Sequence, residues 1–340
     1  MKKILLVILG LLTAVCAFSQ SDLQPAATIN LIRTEAITVA QLRTRVQQTE
    51  RENGITLTQS QRLQMLDVMI GERLILQAAE RDRITVTDNE INAQLRESLA
   101  EQLGRQPTDA EFSQAMTGNN LHIPANYEDL RRTAVMQRYI STAKSALLNS
   151  VTPPTEAEIN EFFSVSRNNF IRVDYVNISS LIIPYDADAV SRARARTTAD
   201  TLHREINNNL NAFDEKFYAT NPSLNYRSDE GWIPRNQEAA SRFGQEFMNI
   251  IFSLRQGAVS PVVETPIGFL IVKVTGNLPF KALELSDAIQ PGVNMTVREY
   301  IFQGLYTQKY QDAFQRGANE LIVELRGRAQ VQTFENNIRW

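Results

Sequence analysis

Phe252-Ser-Leu-Arg-Gln-Gly-Ala-Val-Ser-Pro-Val262, followed by Thr265-Pro-Ile-Gly-Phe-Leu-Ile-Val-Lys273, decides the fold. The first segment reads as the exit of an apolar helix, Phe243 to Leu254, broken at Gly257. The second reads as part of a hairpin in which Val262 to Thr265 meets Gly268 to Val274, with β-branched residues alternating in the longer strand. Upstream, Tyr175-Val-Asn-Ile-Ser-Ser-Leu-Ile-Ile183 is another strand-like run. Between these strands the chain reads as a polar helix from Ala187 to Asn209, a short helix from Phe213 to Tyr218 and a loop from Pro222 to Tyr226. A turn begins at Gly231-Trp-Ile-Pro234.

N-terminal to this module the texture is helical. Thr28 to Thr38 alternates apolar and polar residues around a turn expected near Thr34-Glu35, which predicts a small hairpin. Thr38 caps a helix from Val39 to Arg51 that stops at Asn53-Gly54. Thr58 opens a longer helix in which Leu63, Leu66, Ile70, Leu74 and Ala78 form one apolar stripe. Thr87-Asp-Asn-Glu90 and Thr108-Asp-Ala-Glu111 are capping boxes for two more helices, the second closed at Asn119-Asn120. Asn126 begins a long helix to about Asn149. Pro153-Pro154 marks a boundary, and Thr155 caps a further helix to about Phe163. Beyond the module, Pro279 to Gly292 is a connector. Met295 to Arg326 is helical with an interruption expected at Gly317, and Gln330 to Phe334 is a short strand.

Bulk properties narrow the function classes. Lys2-Lys3, the apolar run Ile4 to Val15 and Ala17-Phe18-Ser19 have the form of a secretory signal, with cleavage expected between Ser19 and Gln20. The run is shorter than the roughly 20 residues of a typical span. Lipidation at Cys16 is the alternative, disfavoured by Val15 immediately before it. Cys16 is the only cysteine, so cleavage leaves a mature chain without disulfides or thiol chemistry, suited to the periplasm. Loss of Lys2 and Lys3 moves the net charge from −3 to −5, with no basic excess for nucleic acid. His122 and His203, the only histidines, lie far apart, which argues against a zinc site or a Ser-His-Asp triad. No cofactor motif is present, and a hydrophobic content of 43% predicts a globular chain.

Several segments resemble a parvulin-type peptidyl-prolyl isomerase domain. Ser228-Asp-Glu-Gly-Trp232 is similar to the parvulin loop Gly-Asp-Leu-Gly-Trp, and 252–262 and 265–273 are similar to its helix exit and last strand. Across nearly the whole mature chain the order of elements resembles the SurA and PrsA family of extracytoplasmic chaperones. In the helical half the resemblance lies in Met69-Ile-Gly-Glu-Arg-Leu-Ile-Leu-Gln-Ala-Ala79 followed by Ile84-Thr-Val-Thr-Asp88. The resemblance implies an α+β fold. A mainly helical domain would be built from both chain ends, and a parvulin-like domain with a small antiparallel sheet would be inserted in it. The expected layout is a signal peptide at 1–19, a helical chaperone domain with linker helix at 20–170, the parvulin-like domain at 171–277, and a returning helix and strand at 278–340.

The resemblance also fixes the candidate site. Parvulins place two histidines on adjacent strands with a Cys or Asp between them; here those positions are Ser180, Leu270 and Asn221. Phe243 and Phe247 fall where the proline pocket is lined, although aromatics at this i, i+4 spacing also read as ordinary core. Ser180 beside Ser179 also reads as structural filler. Arg192, Arg194 and Arg196 resemble the basic loop of some parvulins, and read more simply as a solvated helix face. A leucine donates no hydrogen bond, so the expected function is a periplasmic chaperone that holds unfolded exported or outer-membrane proteins. Its clients would be proline- or aromatic-rich segments, held in a groove between the helical domain and the module, with little or no isomerase activity. Outer-membrane assembly machinery is a further implied partner. The alternatives are an active peptidyl-prolyl isomerase with an unusual site and an export-associated scaffold with a single partner.

Overall fold

The computed structural model describes residues 23–117, 127–208, 211–219 and 225–340. The expected signal segment with Cys16, the Asn119-Asn120 helix end, His122 and the Asn126 helix start lie outside the described residues. Two compact units are present: Met1–Thr152 with Gln308–Trp340, and Pro153–Thr307. The fold is α+β, mainly helical with small antiparallel sheets.

In the first unit, β1 (Pro25–Asn30) and β2 (Thr34–Thr38) form the expected hairpin. Its turn falls at 31–33, three residues earlier than the local pattern suggests. The cause is tertiary: the fully buried Gln77 accepts, through Oε1, the backbone N–H groups of Leu31 and Ile32 at 3.1 Å each. The strand β9 (Gln330–Thr333) pairs antiparallel with the other edge of β1, giving the order β2-β1-β9. Helices α1 (Val39–Asn53), α2 (Gln59–Arg81) and α3 (Asp88–Leu103) each begin with a closed capping box, at Thr38, Thr58 and Thr87. Leu66, Ile70, Leu74 and Ala78 of α2 are buried with Ile29, Ile37, Leu321 and Leu325, and Leu63 packs against this core half-buried. Helices α4 (Asp109–Thr117) and α5 (Tyr127–Ala143) join α3 around a second cluster that includes Ile91, Leu95 and Phe112. A short helix α6 (Ser145–Asn149) follows.

The second unit opens with α7 (Glu156–Val165), capped by Thr155. Two-residue strand β3 (Ile171–Arg172) leads to β4 (Tyr175–Ile183), then α8 (Ala189–Asn208) and α9 (Ala212–Phe217). Next come β5 (Arg227–Pro234), α10 (Gln237–Phe243), α11 (Gln245–Ser253), β6 (Val263–Thr265) and β7 (Gly268–Leu278). The four long-range strands make one antiparallel sheet in the order β5-β4-β7-β6. Side chains alternate across it. Val176, Ile178, Ile182, Leu270, Val272 and Val274 face α10 and α11, while Leu181, Ile183, Phe269 and Ile271 face α8 and α9.

Four local expectations need correction. The loop and turn read at 228–234 are the edge strand β5, paired with β4 from Ile182↔Arg227 to Tyr175↔Pro234. Its charges obscured it, and charges are what an exposed edge carries. The helix read from Phe243 to Leu254 is α11, which starts two residues later because Gly244 at φ 90 and ψ 146 separates it from α10, a helix the sequence reading left out. The connector holds β8 (Lys281–Ala282), paired with β3. Finally, α12 (Val297–Arg328) runs unbroken through Gly317. A Cβ there would stand 3.2 Å from Lys144 Cβ, so the glycine permits a close approach rather than a break.

Candidate functional site

On the α10–α11 face of the second unit's sheet lies a cavity of about 310 Å³. Ile178, Ser180 and Ile182 of β4 and Leu270 of β7 form its floor. Ile182 and Leu270 are direct cross-strand partners, and Ser180 sits two residues along β4 on the same face. Ile233 of β5 and Ala239 and Phe243 of α10 make the walls, with Ile267 at one end. Ser180 and Leu270 therefore share one concavity. Asn221 lies outside the described residues.

Phe243 and Phe247 separate. Phe243, the last residue of α10, is half-buried and lines the cavity. Phe247 is 0% exposed in the core and does not reach the cavity surface. Its ring backs Phe243, with centroids 5.3 Å apart and planes 28° apart. Only one of the expected pair lines the cavity, because Gly244 puts the two rings on different helices.

Trp232 was missed as a packing residue: paired with Asn177, it stands on the face of β5 opposite Ile233. It packs against two glycine backbones, where a Cβ would meet it at 3.3 Å at Gly276 and at 3.5 Å at Gly292. The sequence signal available was an aromatic followed by Ile233-Pro234, in a run whose charges hid its strand character.

The family model for the PPIC-type PPIase domain matches residues 154–290. The chain is 23% identical over 272 residues to the chaperone SurA of Saccharophagus degradans, covering 77% of this chain and 60% of that protein. It is 18% identical over 292 residues to the foldase protein PrsA of Clostridium botulinum, covering 84% and 77%. Among solved structures, one of the SurA-like chaperones of Campylobacter jejuni aligns over 91% of this chain and 98% of its own, at 13% identity and a TM-score of 0.35. Residues 154–290 carry a parvulin-like domain of the PPIC type, and the chain is similar to SurA and PrsA proteins over most of its length. It spans less than two thirds of the length of the SurA relative named above.

In this parvulin-like domain the cavity floor carries little polar chemistry. Ser180 is 5% exposed, and its Oγ donates to the Asp229 carbonyl at 2.8 Å. Leu270, 1% exposed, offers only hydrocarbon. No histidine, cysteine, aspartate or glutamate stands on the floor among the described residues, and no group of three or more such residues fit for a metal occurs among them.

The arginines of α8 have other occupations. Arg192 pairs with Glu264 at 2.6 Å and Arg196 with Asp200 at 3.0 Å. The Arg192 guanidinium, helped by the Tyr185 hydroxyl, holds the Glu264 carboxyl below its usual range. Arg194 borders a separate concavity with Asp186 and Asp188. These pairings favour the solvated helix face over an anion-selecting loop.

Proposed function

We propose that this chain holds unfolded exported polypeptides, gripping short apolar or prolyl segments in the parvulin-like cavity with little or no turnover. One observation carries the reading: the cavity is retained, but its floor presents Leu270 and a Ser180 hydroxyl already bonded to Asp229. Rotation about X–Pro faces a barrier of roughly 18–20 kcal/mol. Lowering it requires groups that grip the twisted amide more tightly than the planar one. Deleting one polar group that steadies a transition state typically slows a reaction by about 10²–10³. Binding needs only shape and apolar surface, which Ile178, Ile182, Ile233 and Phe243 supply.

Export to the periplasm is supported by the charged and apolar N-terminal segment of the sequence, and among the described residues no helix is long and apolar enough to cross a membrane. The names of the relatives, chaperone SurA and foldase PrsA, support unfolded clients. Outer-membrane proteins fit as clients, since their strands alternate apolar and polar residues before insertion.

Two assays test the reading. Light scattering should show suppressed aggregation of an unfolded outer-membrane protein. A protease-coupled proline-peptide assay should give a rate at or near the uncatalysed one. No suppression of aggregation would remove the holding role. A rate clearly above background that disappears in Phe243→Ala would replace it with an active isomerase, the reading that the PPIC-type match favours.

A further inference from the structure

We infer that the outer edge of β5 takes an unfolded client as an added antiparallel strand, with an aromatic side chain of that strand crossing Gly231 into the cavity. This rests on the peptide-gripping reading of the same cavity and adds how the client backbone is held.

Strand β5 ends the sheet order, so one of its edges has no strand partner among the described residues. The ladder fixes which groups point that way. Val272 and Val274 of β7 turn their N–H and C=O groups away from β4, to Ser260, Gly257 and Ala258. Their partners Ser180 and Ile178 therefore turn theirs toward β5, where they meet Asp229 and Gly231. The alternate residues Ser228, Glu230 and Trp232 point their backbone groups outward. The Asp229 carboxylate accepts the Glu230 N–H at 3.0 Å, while the N–H groups of Ser228 and Trp232 have no partner among the described residues. Such a row recognises an extended backbone through its main chain. Pro234 closes the row, because it has no N–H to offer.

A gap in the same strand supplies the selection. On the cavity face β5 presents Arg227, Asp229, Gly231 and Ile233. Gly231 stands opposite Ile178 of the cavity floor, and a Cβ at Gly231 would meet nothing within 4 Å. Glycine inside a strand often marks a place where a ligand or another backbone comes close. A residue of the added strand opposite Gly231 would make a pair without mutual hydrogen bonds, the kind in which side chains stand closest. Its ring would lie across the glycine, as aromatics on neighbouring strands cover edge glycines, and reach the cavity over Ile178.

Fluorescence anisotropy on the full chain tests this with short labelled peptides that alternate Thr and Val around one central Phe. Two versions carry N-methyl groups. In one they sit on both residues flanking the Phe, whose N–H groups would face β5. In the other the methyl sits on the Phe itself, whose N–H would face away. Flanking methylation should weaken binding about tenfold or more, as loss of two backbone hydrogen bonds does. Methylation of the Phe should change it by less than about threefold. Gly231→Val, which fills the gap, should weaken the unmethylated peptide by about tenfold, as for a displaced aromatic anchor. Hydrogen exchange at the Ser228 and Trp232 amides, read by NMR, should slow when the peptide binds.

Binding that ignores the flanking methyl groups, or that leaves exchange at Ser228 and Trp232 unchanged, overturns strand addition and leaves the cavity reading standing. Full affinity in folded Gly231→Val overturns it as well, because the ring then enters elsewhere. Exchange at those two amides that slows with protein concentration alone assigns the edge to a second copy of this chain, and strand addition by a client falls. The methylated peptides are read on the unaltered chain, so the test does not depend on Gly231→Val folding. Failure of every peptide to bind overturns the cavity reading, and strand addition with it.

Discussion

The two faces of the four-stranded sheet are built from the same strands and put to opposite uses. On the α8–α9 face, Leu181, Ile183, Phe269 and Ile271 are sealed beneath helices, and Phe213 is 1% exposed. Polar clasps close the edges of that face. Lys273 holds Asp214 at 2.7 Å, and Glu264 receives Arg192 and the Tyr185 hydroxyl. On the α10–α11 face, Gly244 separates the two covering helices and a cavity remains over Ile178, Ser180, Ile182 and Leu270. Side-chain alternation seals one face throughout, while the other buries Val176, Val272, Val274 and Phe247 and keeps a cavity beside them. Replacing the polar groups expected on the open face therefore alters the site without loosening the fold.

The sharpest way to break this contrast is to truncate one aromatic on each face. Phe213→Ala, on the sealed side, should lower unfolding free energy by about 3–5 kcal/mol, as deletion of a buried ring does. Phe243→Ala, on the open side, should cost roughly 1 kcal/mol, because the ring is only half-buried. Peptide affinity should fall in that variant by about tenfold or more, as for a central aromatic anchor. Urea unfolding and anisotropy on the same samples read both effects. Equal destabilisation by the two variants would erase the distinction between the faces.

A smaller effect is expected at the clasp that pins α9 to β7. Asp214→Asn removes a charge pair in which Lys273 is largely covered and Asp214 is half-exposed. It should cost less than about 1 kcal/mol in urea unfolding, since solvent screens the pair. A larger drop would mean that the lysine is left buried without compensation.

The smallest effect is the pH dependence at Glu264. Arg192 and then Tyr185 depress its carboxyl below the usual 4.5. A depressed carboxyl stabilises the fold fully above its unfolded value and loses that contribution as pH falls through its folded value. Wild type and Glu264→Gln should therefore differ by a constant margin in thermal unfolding above pH 4.5, and the margin should close at lower pH. A margin that widens on acidification would contradict the pairing.

The parts of the fold legible in the sequence are those whose causes are local. Thr38, Thr58, Thr87 and Thr155 announce helix starts because a capping box is complete within four residues. Strands β4 and β7 are legible because both faces are buried, which leaves long β-branched runs. The illegible parts have distant causes. Strand β5 is polar because only its partner β4 makes it a strand, the 31–33 turn is set by Gln77 from a helix 45 residues away, and β3 and β8 are two residues each. At the site, the resemblance pointed to Ser180 and Leu270, and the structure sets them in one cavity. Nothing nearby in sequence signals that Phe247 lies beneath Phe243, since that depends on the break at Gly244.

The pairing of β1 with β9 joins residues some 300 positions apart, Ala27 to Thr333 among them. Such a pairing closes late in folding, because its loop entropy comes due before any reward. The module at Pro153–Thr307 is contiguous and is complete before residues 330–333 have left the ribosome. A chain emerging N-terminus first would thus display a finished parvulin-like module on a body still waiting for its last strand.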